Sequence, residues 1–270
     1  MEKFDAIIAG GGLAGLAASI RLADAGVKTL IVERGNFCGE KNVSGGRLYG
    51  HSMEKLIPGF SREAPVERKI VSERLALLTE DGGLTTDYRS SRLENSPSYS
   101  VIRGSFDRWL AEKAEKAGCT VITGIRVDEV LERNGQVCGI RAEGDEVYAD
   151  VVILADGVNS LLAKRLGMKK ELEPFQVAVG IKEVIGLDEK TINERFGVGA
   201  GEGTALMATG YITGGNMGGG FLYTNRSTIS IGIVTTVGDI GHTELSTADM
   251  MERFKAHPYI RPLLEGGKTI

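Results

Sequence analysis

The first 35 residues are the feature that most constrains how this chain folds. The stretch FDAIIAG is almost continuously apolar, and it runs directly into GGGLAGLAASIRLADAG, where Gly10, Gly12 and Gly15 have the spacing G-x-G-x-x-G. An amphipathic helix that stops at Gly26 and a second apolar strand, VKTLIVE, complete the segment. This order of strand, glycine-rich turn, helix and strand predicts the first βαβ unit of a doubly wound parallel sheet.

Each glycine of the turn has a predicted role in binding a dinucleotide. Gly10 allows the turn out of the strand, Gly12 lets a pyrophosphate touch the main chain, and Gly15 lets the helix pack against the sheet. The first helical N–H groups, at Leu13 and Ala14, then face the phosphates. The turn therefore predicts a dinucleotide site.

A carboxylate ends the second strand. Glu33 lies 18 residues after Gly15, close to the roughly 20 residues at which an acid takes the ribose hydroxyls. We predict that Glu33 and the adjoining Arg34 contact the nucleotide; the alternative for Glu33 alone is a solvated strand end. FAD and NAD share this unit, so the motif leaves the choice between them open.

Composition excludes several classes of function. The 270 residues carry a formal charge of −4, which gives no basic field for nucleic acid. The three cysteines, Cys38, Cys119 and Cys138, are too scattered for a disulfide framework or a metal cluster, so we predict no metal site. No signal peptide and no apolar run of about 20 residues is visible. We expect a cytoplasmic protein, with peripheral contact at the inner membrane face left open.

The pliable loop FCGEKNVSGGRLYG, residues 37–50, follows Glu33. Its glycines let the backbone pass close to a flat or charged group, and a lysine and an arginine flank them. The alternative is an ordinary surface loop.

A second motif lies in DVVILADGVNSLLAKRLG. Residues 151–154 are predicted to form a buried strand, after which Asp156-Gly157 turns into a helix near Ser160. Taken alone, DGVNS is also the composition of a type I turn with a helix cap. The arrangement resembles the second fingerprint of the flavin-dependent hydroxylase and geranylgeranyl reductase superfamily, which implies that Asp156, Gly157 and Ser160 approach FAD. The arginine often found three residues after the serine is replaced by Ala163.

The segment between the two motifs fits the same superfamily. It is predicted to form a strand, a helix over residues 105–117, a strand TVITG and a hairpin at Asn134-Gly135. The resemblance implies that Arg103 contacts the cofactor and that the backbone of Val127 meets the adenine. An ordinary exposed arginine is the alternative for Arg103.

Four stretches together resemble FixC-type proteins, relatives of electron-transfer-flavoprotein:quinone oxidoreductase: KNVSGGRLYGHSMEKLIPGF, SVIRGSFDRWL, VILADGVNSLLAKRLGM and GGGFLYTNRSTISIGIV. The resemblance implies that Lys41, Ser44, Gly45 and Gly46 lie along the flavin. It also implies electron transfer from an electron-transfer flavoprotein to quinone or a ferredoxin-like iron-sulfur protein. No catalytic side chain stands out. The alternatives are an isoprenoid saturase, an aromatic hydroxylase, or a flavin-binding assembly subunit without turnover.

The predicted fold is α/β: a Rossmann-like FAD-binding domain of residues 1–64 and 101–171, with an antiparallel-sheet acceptor domain of residues 65–100 and 172–270. The glycine-rich stretch at 210–220 is predicted to be a bend in that sheet rather than a wall of the flavin site. A third family fingerprint, a strand ending in Gly-Asp-Ala, is not found, because Gly238-Asp239 fits a turn. We therefore expect the chain to be the N-terminal portion of a longer protein.

Overall fold

The computed structural model describes residues 3–42 and 45–270. The strands are β1 Lys3–Ala9, β2 Thr29–Val32, β3 Gly45–Tyr49, β4 Val66–Leu78, β5 Gly83–Tyr88, β6 Ser98–Ile102, β7 Thr120–Ile122, β8 Val127–Arg133, β9 Gln136–Ala142, β10 Asp145–Leu154, β11 Ala178–Gly186, β12 Glu202–Gly210, β13 Gly218–Thr224, β14 Thr228–Thr236 and β15 Lys268–Thr269.

The helices lie between these strands and are mostly short. They are α1 Leu13–Asp24, α2 Gly50–Leu56, α3 Ser91–Asn95, α4 Arg103–Lys116, α5 Leu161–Arg165, α6 Glu189–Phe196, α7 Thr247–Ala256 and α8 Arg261–Leu264. Within the described residues, none of these helices is long and apolar enough to cross a membrane.

The chain divides into two compact units. The first holds the described residues of 1–43, 55–65 and 103–171, and the second holds those of 44–54, 66–102 and 172–270. Residues 45–54, which the sequence assigned to the FAD-binding domain, cluster with the second unit, because β3 pairs with β6 in its sheet.

The first unit is built on a sheet in the order β7-β2-β1-β10-β9-β8. β7, β2, β1 and β10 run parallel, whereas β8, β9 and β10 form antiparallel hairpins. The predicted hairpin turn at Asn134-Gly135 is confirmed, since both residues have the positive φ that such a turn requires. Glu143-Gly144 repeats this geometry between β9 and β10. The helices α1 and α4 pack against each other beside this sheet.

The predicted strand at residues 151–154 forms as the end of β10, but it is not buried throughout. The side chain of Val151 is 52% exposed, although its partner in β1, Ala6, is buried. The apolar composition of the strand therefore predicted its existence correctly and its burial wrongly.

The second unit is built on a sheet in the order β15-β11-β14-β13-β12-β4-β6-β3, with β5 paired to β4. Its core contains Ile229, Ile231 and Ile233 of β14 and the apolar side chains of α6 and α7. The sequence predicted antiparallel strands throughout, but β4 and β12 are parallel. Residues 211–217 connect β12 and β13, with a 3-10 turn at Tyr211–Thr213, which agrees with the predicted bend.

Candidate functional site

Two of the three motif glycines are required by packing inside the first unit. Gly10 has φ +117°, and a Cβ atom there would lie 2.3 Å from the carbonyl oxygen of Ala155. A Cβ atom at Gly15 would lie 2.0 Å from the carbonyl oxygen of Gly10. No side chain fits at either position, so these glycines let the turn, α1 and the end of β10 meet.

Gly12 differs, because it faces open space. Among the described residues, no atom lies within 4 Å of a Cβ built at Gly12. The first helical hydrogen bond of α1 runs from the N–H of Leu16 to the carbonyl of Gly12 at 2.9 Å, and no side chain caps the helix. The N–H groups of the first turn therefore point out of the helix without a helical acceptor. With no acidic residue in that turn, the helix start suits an anion.

Glu33 fixes the backbone around this turn. One carboxylate oxygen accepts a hydrogen bond from the N–H of Gly11 at 2.7 Å, and the other accepts one from the N–H of Gly35 at 2.7 Å. Each oxygen keeps a further lone pair for a hydroxyl group. Glu33 thus both orders the glycine turn and offers acceptors at the cleft.

A cleft opens above the carboxyl ends of β1, β2 and β10. Its lining is Ala9, Gly10, Gly12, Val32, Glu33, Arg34, Gly39, Lys41, Asn42, Ile125, Arg126, Val127, Ala155, Asp156, Gly157, Asn159, Leu161, Leu162 and Arg165. Four basic and two acidic side chains are in this lining, so its balance of 4 − 2 = +2 favours an anionic ligand.

The structure brings half of the predicted cofactor residues together in this cleft. They are Gly10, Gly12, Glu33, Arg34, Lys41, Val127, Asp156 and Gly157. Asp156 also caps α5, because its carboxylate accepts a hydrogen bond from the N–H of Leu162 at 2.9 Å. Gly157 has φ +76°, which a glycine adopts without strain.

Ser160 does not line the cleft. It has φ +47°, and its hydroxyl donates to the carbonyl oxygen of Gly157 at 2.7 Å while it accepts from Nζ of Lys169 at 2.8 Å. In this structure Ser160 therefore shapes the turn that carries Asp156 and Gly157.

Arg103 is likewise absent from the cleft lining. Its guanidinium pairs with the buried carboxylate of Asp107, from Nε to Oδ1 at 2.7 Å and from Nη2 to Oδ2 at 2.8 Å. Leu13, Ala14 and Gly15 lie at the start of α1 and are not among the lining residues.

The remaining predicted residues lie in the segment just before β3 and in β3 itself. Gly45 and Gly46 are in β3 and are not among the lining residues. A Cβ atom at Gly46 would lie 3.0 Å from the ring of Tyr223, so this glycine gives room to an aromatic side chain. The prediction for Ser44 falls outside the described residues.

Several polar side chains of the cleft lining were not predicted from the sequence. Asn42, Arg126, Asn159 and Arg165 line the cleft but were not predicted to do so. The sequence did contain a signal for Arg165: the motif lacks its usual arginine at Ala163, and the next basic residues are Lys164 and Arg165. In the structure Lys164 pairs with Glu171 outside the cleft, whereas Arg165 lines it.

These features fit the adenosine diphosphate part of a dinucleotide. Gly12 leaves room for a pyrophosphate, the first turn of α1 offers N–H donors, and Glu33 presents acceptors for ribose hydroxyls. Arg34 and Arg126 add positive charge to the same lining.

Two family models match the chain. The model described as FAD dependent oxidoreductase matches residues 5–164, and the model described as ETF-QO, ubiquinone-binding, matches residues 177–270. The first match contains the glycine turn, Glu33, Val127 and Asp156.

Curated relatives agree with these matches. Protein FixC of Salmonella typhi is 51% identical over 271 residues, and the probable electron transfer flavoprotein-quinone oxidoreductase YdiS of Escherichia coli (strain K12) is 48% identical over 271 residues. Each alignment covers 100% of this chain and 63% of the relative. The chain thus spans under two thirds of the length of the curated relatives it matches, and the predicted resemblance to FixC-type proteins is confirmed.

Solved structures confirm the fold. A geranylgeranyl bacteriochlorophyll reductase-like protein from Thermoplasma acidophilum has a TM-score of 0.81 at 23% identity, covering 100% of this chain and 65% of that one. The halogenase PltM in complex with phloroglucinol and FAD has a TM-score of 0.72 at 17% identity, covering 98% of this chain and 58% of that one. With the first family model matched over more than half of its length, the chain belongs to the FAD dependent oxidoreductase family, whose cofactor is FAD.

Proposed function

We propose that this chain carries the flavin of an oxidoreductase that takes electrons from an electron-transfer flavoprotein and passes them to a quinone. The observation that carries the proposal is the order of its parts: a cleft with a nucleotide-binding turn lies within the FAD family match, and a match to a ubiquinone-binding model follows along the chain. A bound flavin can accept electrons singly or as a pair, which suits exchange between such partners.

The chain's own residues would then bind and orient the cofactor. The N–H groups of the first turn of α1 would hold the pyrophosphate, Glu33 the ribose, and the backbone of Val127 the adenine. We retain Gly45 and Gly46 as proposed contacts of the flavin ring. Arg165 takes the proposed place of the arginine that the motif lacks at Ala163.

The proposal extends to partners and location. The curated relative named as a probable electron transfer flavoprotein-quinone oxidoreductase supports both the donor and the acceptor. A quinone dissolved in the bilayer would require the protein to touch the inner face of the membrane. A ferredoxin-like iron-sulfur protein is proposed as a further acceptor on the FixC resemblance.

Anaerobic flavin spectroscopy tests the function directly. The purified chain is loaded with FAD and mixed with a reduced electron-transfer flavoprotein, and the absorbance of its own flavin is followed before and after a water-soluble ubiquinone analogue is added. We expect bleaching with the donor and recovery of the colour with the quinone. The Gly12→Val variant, which should lack FAD, serves as the matched blank.

Other outcomes would select a different function. Oxygen consumption driven by NADPH would indicate a hydroxylase, and reduction of an isoprenoid double bond would indicate a saturase. A loaded flavin that neither the donor protein reduces nor the quinone reoxidises would contradict the proposal and favour an assembly subunit.

A further inference from the structure

A buried carboxylate on α4 holds the loop that follows β2. The side chain of Asp107 has no exposed surface, and besides the two hydrogen bonds from Arg103 it accepts one from Nδ2 of Asn42 at 2.5 Å. We propose that Asp107 is a positioning residue that fixes residues 39–42 in the conformation that the cofactor cleft requires. The proposal rests on the proposed function, because it assigns that cleft to FAD.

Asp107 touches this loop near both of its ends. At Gly39, which has φ +97°, a Cβ atom would lie 2.7 Å from Cβ of Asp107 and 3.3 Å from the carbonyl oxygen of Arg103. At the other end lies Asn42, whose side-chain amide donates to Asp107 and whose backbone N–H donates to the carbonyl of Gly39 at 3.0 Å. The short loop is therefore closed on itself and pinned to α4.

The pinned residues are part of the cleft, whereas the residue that pins them is not. Gly39, Lys41 and Asn42 line the cleft, and Asp107 is absent from the lining. An effect of Asp107 on the cofactor must therefore pass through the loop or through Arg103. A second contact supports this arrangement, since Arg108 of α4 lies 4.1 Å above the ring of Phe37.

The groups around Asp107 are all donors aimed at its carboxylate oxygens. Three N–H groups point at its two oxygens, and a carboxylate is an acceptor only. In Asp107→Asn one oxygen becomes an NH2 group. In place of Oδ1 it faces Nε of Arg103, and in place of Oδ2 it faces both Nη2 of Arg103 and Nδ2 of Asn42, so at least one contact breaks.

A reciprocal exchange separates positioning from general packing. The double variant Asn42→Asp with Asp107→Asn restores a donor–acceptor pair with the two groups exchanged. Asn42→Ala removes the loop side of the contact and leaves the pair between Arg103 and Asp107 intact. Glu63→Gln is the matched control, because it breaks an ion pair with Lys113 of the same helix and leaves the hydrogen bonds of Asp107 in place.

Two readouts test the proposal. One is the dissociation constant for FAD, measured by flavin fluorescence; the other, made without FAD, is the rate of tryptic cleavage after the exposed Lys41. We expect Asp107→Asn and Asn42→Ala each to raise the dissociation constant about tenfold or more and to speed cleavage similarly, as loss of a charge-assisted hydrogen bond would. The double variant should recover most of the resistance to cleavage but only part of the affinity, because its new carboxylate at position 42 lies in the cleft lining. Glu63→Gln should change neither.

The outcomes are distinct from those of the proposed function. If the wild-type chain does not bind FAD, the proposed function fails, while the cleavage rates still test the loop contact. Wild-type affinity and cleavage in both single variants would overturn the positioning role. So would an unfolded Asp107→Asn variant beside an Asn42→Ala variant that behaves as wild type, because Asp107 would then serve packing alone.

Discussion

The three motif glycines, alike in sequence, have different reasons to be glycine. At Gly10 and Gly15 a Cβ atom would lie 2.3 Å and 2.0 Å from backbone oxygens, so no side chain fits there. At Gly12 a Cβ atom would have no other described residue within 4 Å, apart from its two neighbours in the chain. A substitution at Gly12 should therefore affect the ligand and not the fold, and substitutions at the other two should affect both.

We predict that Gly12→Val folds but does not bind FAD, because the new side chain would occupy the space of the pyrophosphate. The check is the flavin-to-protein ratio of the purified variant together with its thermal melt. Gly15→Ala is the comparison, since its methyl group would meet the carbonyl of Gly10 and lower the melting temperature. A yellow Gly12→Val protein with a full complement of flavin would remove the pyrophosphate from this position.

Glu33 should stabilise the protein even without a ligand, because it accepts hydrogen bonds from the backbone of the glycine turn. Glu33→Gln replaces one of two accepting oxygens with an NH2 group facing the N–H of Gly11 or Gly35. We expect a loss of about 1 to 3 kcal/mol in the free energy of unfolding without FAD, the range for a buried donor left unpaired. Denaturant titration of the apoprotein measures it. An unchanged apoprotein with weakened FAD binding would reduce Glu33 to a ligand contact.

Cys38 makes the stability of the first unit sensitive to alkali. Burial raises the pKa of its thiol to about 12, and the nearby charges of Glu33 and Asp107 add to the rise. Between pH 9 and pH 12 the unfolded chain therefore loses this proton while the folded chain keeps it, so stability falls as the pH rises. Denaturation across this window should show a steeper fall for the wild type than for Cys38→Ala. Parallel slopes would contradict the assignment.

At the scale of elements, the sequence predicted what is local and missed what is made by distant pairing. The β1-α1-β2 unit and the Asn134-Gly135 turn follow from spacing and turn chemistry. The parallel pairing of β4 with β12 does not, because alternation along a strand records which face is buried but not the direction of its neighbour.

The candidate site divides in the same way. Motif residues such as Gly12 and Glu33 are fixed by positions along one segment, so their places were predictable. Arg126 enters the cleft from the chain that follows β7, and Arg103 turns to Asp107. The place of Arg126 is set only when the unit closes, which spacing alone does not specify. The pair of Arg103 with Asp107 is local, one turn along α4, but the resemblance assigned this arginine to the cofactor.

Arg68 shows how strongly one side chain can join elements of the second unit. Its side chain is fully buried, and it donates to the carbonyl oxygens of Glu202 at 2.8 Å and Arg226 at 2.9 Å, as well as to Asn193 and Asn225. It thus links β4 to β12, to the turn between β13 and β14, and to α6.

We predict that Arg68→Ala lowers the free energy of unfolding of the second unit by about 3 to 5 kcal/mol, the range for breaking a buried charged network. Chemical denaturation followed by circular dichroism measures the loss. The control is Arg226→Ala, whose exposed side chain also donates to carbonyls of residues 66 and 67 and should cost less than about 1 kcal/mol. Equal losses in the two variants would contradict a special role for Arg68.

At the scale of the whole molecule, both sheets depend on pairings between distant parts of the sequence. In the first unit β1 pairs with β10, and in the second unit β4 pairs with β12. Pairing strands that are far apart in the sequence costs loop-closure entropy before any contact forms, which slows folding. We therefore predict that the chain refolds in milliseconds to seconds. Stopped-flow fluorescence of Trp109, the chain's single tryptophan, measures it in the first unit. Complete recovery in microseconds would contradict this topology.

The pairing of β1 with β10 also bears on how the protein is made in the cell. Residues 3–9 leave the ribosome well before their partners at 148–154, which emerge only after some 140 more residues have been added. At a synthesis rate of about 5–20 residues per second, roughly 7 to 28 s pass before β10 can pair with β1. During that interval the nascent chain exposes FDAIIAG to other chains, which makes it a segment for a chaperone to shield during synthesis.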